Sequence, residues 1–71
     1  MRRYAIVIED AGSNWAAYVP DLPGCVATGA SPEEVERLIR EAIALHIEGM
    51  SEDGLPIPDP SSRVEYVEVN A

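Results

Sequence analysis

The chain is poor in the residues that carry cationic, redox and metal chemistry. Its 71 residues include five arginines and no lysine, and the thirteen acidic residues give a formal charge of -8. Because nucleic-acid binding depends on cationic contacts with phosphates, direct binding of DNA or RNA is not expected. One cysteine cannot form an internal disulfide, so nothing indicates an oxidising compartment. The acidity suits a basic protein partner, although charge alone serves solubility equally well.

The chain also lacks long apolar runs. The basic and then apolar start of the chain stops at Glu9, which is too short for a signal peptide. No stretch approaches the ~20 apolar residues of a membrane span. The sequence therefore predicts a cytoplasmic protein with no membrane partner. Its length predicts one domain over residues 1–71, and a domain this small often gains stability from oligomerisation.

Three short strands are predicted before the middle of the chain. Apolar alternation favours a strand over residues 2–9 and a returning antiparallel strand over 15–19. Pro20 ends the second strand because it lacks a backbone donor. The sequence Leu22-Pro23-Gly24-Cys25 suits a type II turn, since proline presets φ at its second position and glycine supplies a positive φ at its third. Residues 25–28 then predict a short third strand.

A long amphipathic helix follows this turn. Ser31 is a good N-cap, Pro32 suits the first helical position, and Glu34 completes a capping box. Apolar residues recur at helical spacing as far as Met50. The resulting apolar arc is broader than one face of a small sheet requires, which indicates that part of the helix or sheet meets another chain.

A proline-stiffened connector and a fourth strand complete the predicted fold. Residues 55–60 contain three prolines, and strand character returns over residues 63–69. The predicted class is α+β in the order β-β-β-α-β, with a small, mostly antiparallel sheet and one helix packed on one face. A right-handed crossover would bring the last strand back parallel to the first. The other sheet face stays partly open, which makes it the natural place for a partner.

Catalytic and metal-binding groups are scarce. Cys25 is typical of a small buried hydrophobe, and His46 is typical of a half-buried helix residue rather than its activating base. One cysteine and one histidine offer no zinc spacing. Glu9, Asp10 and Asp21 are the carboxylates that a metal-dependent nuclease would use, but acidic loop residues are more often solvated. We expect no catalytic residue, no metal site and no cofactor.

Aromatic side chains on the second strand are candidates for partner contact. Trp15 and Tyr18 are either core residues or interface anchors. Together with the acidic residues Glu9, Asp10 and Asp21, they form the predicted partner-binding set.

The turn and the capped helix also resemble a known family. The run from Tyr18 to Cys25, the helix opening Ser31-Pro32-Glu33-Glu34 and the later Leu55-Pro56-Ile57-Pro58 together resemble the HicB family of type II toxin–antitoxin systems, over roughly residues 4–60. The positions that define the structural motif are Pro20, Leu22, Pro23, Gly24, Cys25, Ser31 and Glu34.

The resemblance implies a fold and a function. It implies a partial ribonuclease-H-like fold in the same β-β-β-α-β order, without nuclease activity. It also implies an antitoxin that binds a small basic RNA-cleaving toxin of the HicA type and associates as a dimer or tetramer. The C-terminal DNA-binding module of many members is expected to be missing, since the sequence ends at Ala71. Two alternatives stay open: a homo-oligomer of structural or regulatory function with no toxin, and a residual metal-dependent nuclease.

Overall fold

A three-stranded antiparallel sheet and one helix make up the fold of this computed structural model, which describes residues 2–71. The strand order is β1-β2-β3, and α1 packs on one face of the sheet. The predicted α+β class, with one helix on one sheet face, is confirmed. The elements are β1 (Val7–Asp10), β2 (Trp15–Tyr18), β3 (Val26–Gly29) and α1 (Pro32–Glu52).

The first strand is shorter than its sequence predicts. It begins at Val7 rather than Arg2, because Val7 pairs with Tyr18, the last residue of β2. Beyond Tyr18 the partner chain turns away, and the Val19 N–H donates to the Cys25 carbonyl at 3.2 Å. Residues 2–6 therefore have no strand opposite them on that side.

The predicted type II turn is present and is tied to the core. The Cys25 N–H donates to the Leu22 carbonyl at 3.0 Å, and Gly24 has a φ of 84°. This positive φ is the conformation that the third position of a type II turn requires. Leu22 is 0% exposed and Cys25 is 3% exposed, so the turn contributes two core side chains.

The sheet register separates an inner face from an outer face. Ile8 is paired with Ala17, which is paired with Ala27, so these three residues share one face. That inner face packs against Val35 and Ile39 of α1, both 0% exposed.

The helix begins as the capping residues predict. The Ser31 Oγ accepts a hydrogen bond from the Glu34 N–H at 3.1 Å. The helix ends at Glu52, two residues after Met50, where its apolar pattern stops. Gly54 then adopts a φ of 68°, and the Leu55 N–H donates to the Met50 carbonyl at 2.9 Å. In the part of the chain that the structure describes, no helix is both long and apolar enough to span a membrane.

The predicted fourth strand over residues 63–69 is wrong for a single chain. Residues 55–71 form no helix or strand, and every residue from 61 onward is exposed. The predicted parallel crossover onto the first strand is absent for the same reason. The strand propensity of a sequence reflects how well its side chains fit a half-buried sheet surface. This segment does not form a strand here because it lies against no such surface.

Candidate partner-binding surface

The outer face of the sheet carries an apolar row that is exposed on β2 and β3 and half-buried on β1. Val7, Tyr18 and Val26 come from the three strands and lie directly across from one another. Tyr18 is 42% exposed and Val26 is 65% exposed. Solvent exposure of neighbouring apolar side chains on one surface is typical of interaction sites. We call Val7, Tyr18 and Val26 the outer row.

A more polar row lies beside the outer row on the same face. It consists of Glu9, Ala16 and Thr28, again one residue from each strand. Glu9 and Thr28 are exposed, and Ala16 is half-buried. The outer face therefore presents an apolar row bordered by a carboxylate and a hydroxyl, which suits a partner with both an apolar and a cationic contact.

The predicted partner-binding residues are divided between the two faces. Tyr18 and Glu9 lie on the outer face, whereas Trp15 and Asp10 are paired with each other on the inner face. Trp15 is half-buried and packs against the core cluster. The Asp10 Oδ1 accepts a hydrogen bond from the Gly12 N–H at 2.9 Å, which stabilises the β1–β2 loop.

Asp21 binds the C-terminal part of its own chain. Its Oδ2 accepts from the Ser61 and Ser62 N–H groups, each at 2.9 Å. Its Oδ1 accepts from the Ser62 Oγ at 2.7 Å and the Ser61 Oγ at 3.1 Å. Hydrogen bonds from Ser62, followed by those from Ser61, lower the pKa of Asp21 to about 2. We call this arrangement the Asp21 clamp. A contact between Asp21 and another protein remains a prediction.

The connector that leads to this clamp is held against the start of the chain. The Tyr4 hydroxyl donates to the Pro58 carbonyl, and the Arg2 Nη1 donates to the Ile57 carbonyl at 3.2 Å. These contacts and the Asp21 clamp together fix where residue 63 leaves the folded body.

The carboxylates of the nuclease hypothesis do not converge. Glu9 and Asp10 are adjacent in β1 and point to opposite faces, and Asp21 is occupied by two serines. Within residues 2–71, no group of three histidine, cysteine or acidic side chains is arranged to hold a metal ion. Burial raises the pKa of the Cys25 thiol, which disfavours the reactive thiolate.

The C-terminal end of α1 is a second negatively charged surface. Glu48, Glu52 and Asp53 are exposed there, and the last helical turn has no basic residue. The helix dipole places partial negative charge at the same end. These three residues contribute to the net negative charge of the chain. Sequence reasoning did not assign them to a particular surface.

Sequence reasoning did not name Val7 and Val26 among the candidate partner-binding residues. The alternation of β1 already placed Val7 on the face opposite Ile8, and this parity was the available signal. Val26 could be placed only once its pairing with Tyr18 was known.

Comparison with known proteins places this architecture in a family. The family model of the HicB-like antitoxins of bacterial toxin–antitoxin systems matches residues 4–71. Antitoxin HicB 2 of Photorhabdus laumondii is 33% identical over 70 residues, covering 97% of this chain and 50% of that protein. A protein of Haemophilus phage HP1, described as an uncharacterized 14.9 kDa protein, is 38% identical over 64 residues, covering 90% of this chain and 48% of its own. The chain thus spans about half the length of these two relatives.

A solved structure gives the same assignment. A chain of the HicA3 and HicB3 toxin–antitoxin complex superposes with a TM-score of 0.73 at 32% identity, covering 84% of this chain and 70% of that chain.

A UPF0150 protein of Helicobacter pylori is 45% identical over 49 residues, covering 69% of this chain and 68% of its own. The chain belongs to the HicB-like antitoxins of bacterial toxin–antitoxin systems.

Proposed function

We propose that this protein binds and neutralises a small basic RNA-cleaving toxin of the HicA type through the outer face of its sheet. The observation that carries the proposal is the exposed outer row on a member of an antitoxin family. The family assignment itself indicates a non-enzymatic role. The similar solved chain comes from a complex of HicA3 with HicB3, which supports a toxin as the partner.

Charge supports the same kind of partner. A toxin that cleaves RNA needs cationic groups to contact phosphates. The formal charge of -8 on this chain attracts such a surface over a distance and raises the association rate. The outer row supplies the apolar contact that holds the encountered pair together. Neutralisation follows because the antitoxin covers cationic groups that the RNA would otherwise occupy.

A pair of lysine substitutions tests the proposed surface. Val26→Lys places a cation in the outer row, and the control Leu45→Lys places one on α1. The two positions are nearly equally exposed, Val26 at 65% and Leu45 at 68%. The two variants carry the same change in net charge. We expect Val26→Lys to weaken toxin binding by about tenfold or more, because it removes apolar contact and adds like-charge repulsion. Leu45→Lys should change it by less than threefold.

The measurement is titration of the HicA-type toxin with each purified variant, followed by calorimetry and by an RNA-cleavage assay. If the Val26→Lys variant binds the toxin as tightly as the unsubstituted protein does, the outer face is not the toxin-binding surface. Absence of any binding or protection by the unsubstituted protein would refute the neutralising function itself.

A homo-oligomer of structural or regulatory function without a toxin is the second candidate. It is favoured by the exposed strand-forming segment over residues 63–69. One experiment separates the two candidates: deletion of a neighbouring gene that encodes a basic protein. If this protein is an antitoxin, the cell no longer needs it after that deletion, whereas the need for a homo-oligomer without a toxin would be unchanged. A single domain over residues 1–71 is part of both proposals.

A further inference from the structure

Residues 63–69 are a strand-forming segment that is exposed along its whole length in a single chain. Tyr66 is 93% exposed, Val67 is 81% exposed and Val69 is 77% exposed. The radius of gyration is 13.7 Å, whereas a compact chain of this length has about 11 Å. Exposed apolar residues with unpaired backbone groups are a pairing site for another strand. We call residues 63–69 the tail.

The free edge of β1 offers such a pairing site. In the described chain β1 pairs with β2 alone, so its other edge is open. Two cavities lie beside residues 3–6, the segment that leads into this edge. One, of about 450 Å³, lies between residues 3–5 and residues 62–65. The other, of about 420 Å³, lies between Tyr4 and Ile6 on one side and Arg40 and Ile43 of α1 on the other. The helix therefore extends over apolar residues that no strand covers.

Residue charges favour an antiparallel strand at this edge. An antiparallel strand with Tyr66 opposite Val7 places Arg63 opposite Asp10 and Glu68 diagonal to Arg3. A parallel strand that started where the tail starts, beside residues 3–5, would instead bring Arg63 next to Arg3. Opposite charges on neighbouring strands stabilise a sheet and like charges destabilise it.

The same register matches apolar residues beside the segment that precedes β1, while Glu65 falls opposite Ile8. It places Val67 opposite Ile6 and Val69 opposite Tyr4, on the face where the 420 Å³ cavity is open. Tyr66 falls beside Val7 and extends the outer row by one side chain. The ion pair between Arg63 and Glu65, with a nitrogen–oxygen distance of 3.2 Å, is kept in this arrangement. Residues two apart lie on the same face of an extended chain, so a strand conformation does not separate them.

A chain cannot make this antiparallel pairing with its own tail. The Asp21 clamp holds Ser62 beyond the end of the sheet where β1 begins and β2 finishes. Arg63 would have to lie beside Asp10 at the opposite end of β1, about 10 Å farther along the strand. One residue spans at most about 3.6 Å. The antiparallel partner must therefore come from a different molecule.

We propose that the tail of a second copy of this chain occupies the free edge of β1 as an antiparallel strand, with its Tyr66 opposite Val7, and that the exchange is reciprocal. The two sheets then form one continuous sheet through the exchanged tails. This arrangement leaves the outer row exposed, so the inference does not depend on the proposed toxin. It assigns both the segment and the edge that join the two copies.

Disulfide trapping tests the register. Cysteines at directly opposed strand positions lie within bonding distance. We expect Val7→Cys/Tyr66→Cys to form a covalent dimer under mild oxidation, seen on non-reducing gels. The matched control, Val7→Cys/Val67→Cys, places the second thiol on the other face of the strand and should give at least fivefold less dimer. Intramolecular crosslinks alone, or equal dimer from both variants, would overturn the proposal.

Substitution of the tail tests the association itself. Val67→Lys changes a residue that is already 81% exposed in the single chain, so the fold of that chain should persist. We expect light scattering to give the mass of two chains for the unsubstituted protein and for Leu45→Lys, and of one chain for Val67→Lys. Circular dichroism should show the same helix content in all three. A strictly monomeric unsubstituted protein, or a Val67→Lys variant that remains dimeric, would refute the exchange.

Discussion

At the scale of single residues, the role of Asp21 changed most between sequence and structure. Its place in a proline-rich turn indicated an exposed acid available to a partner. The structure instead shows four hydrogen bonds from Ser61 and Ser62, forty residues along the chain. No local pattern predicts such a pairing, because it depends on where the connector returns. The local features, by contrast, were predictable: the Ser31 N-cap and the positive φ of Gly24 are both observed.

Removal of the Asp21 carboxylate should release the C-terminal segment without unfolding the core. In Asp21→Asn one oxygen acceptor becomes a donor, so the Ser61 and Ser62 N–H groups lose part of their pairing. We expect faster hydrogen exchange and faster proteolysis after residue 60, with exchange in α1 unchanged. The matched control is Asp59→Asn, whose residue makes a 3.9 Å ion pair to Arg2 and is 91% exposed. Unchanged exchange at Ser61 and Ser62 would contradict the clamp.

The pH dependence of the clamp follows from the lowered pKa of Asp21. The pKa of this carboxyl group is about 2 in the folded chain and about 3.9 in the unfolded chain. Its hydrogen bonds therefore stabilise the fold fully at pH values above the unfolded pKa. That contribution is lost as the pH falls through the interval towards 2. Exchange at Ser61 and Ser62, corrected for its intrinsic pH dependence, should therefore stay constant from neutral pH to about 5 and accelerate only in stronger acid.

At the scale of elements, sequence patterns predicted which elements form but not where every one ends. The helix was predicted from its cap and its apolar spacing, both of which are local. The first strand was predicted over residues 2–9, but β1 covers Val7–Asp10, because its length is set by the partner strand β2. A helix makes its own hydrogen bonds, whereas a strand needs a neighbour. The strand over residues 63–69 fails in a single chain for the same reason.

Two glycine substitutions should affect stability in opposite directions. Gly49 lies inside α1, and an added Cβ meets nothing within 4 Å, so Gly49→Ala should stabilise the protein by about 0.5–1 kcal/mol. At Gly29 an added Cβ would lie 3.0 Å from the Val35 backbone nitrogen. Gly29→Ala should therefore destabilise the protein by about 1–3 kcal/mol.

Urea denaturation followed by circular dichroism measures both free energies of unfolding. The two variants make the same chemical change, so each is the control for the other. A stabilising Gly29→Ala would show that α1 does not pack as closely on β3 as the structure indicates.

At the scale of the whole molecule, the sequence predicted the α+β class, the open sheet face and the family. The composition of the open face could not be read in full, because it depends on strand register. The strand pairing places Tyr18 and Glu9 on that face, whereas Trp15 and Asp10 lie on the face that α1 covers, with Asp10 still exposed. The partner cannot be derived from fold alone, since fold does not imply function. Family membership and the exposed outer row together support a toxin partner.

The most direct test of the central claim is a methyl NMR titration of this protein with a HicA-type toxin. If the outer face binds the toxin, the methyl resonances of Val7 and Val26 will shift and saturate near one equivalent. Leu45, which is exposed on α1, will not shift. Saturating shifts confined to α1 methyls, or no shift at all, would contradict an antitoxin that binds its toxin through the outer row.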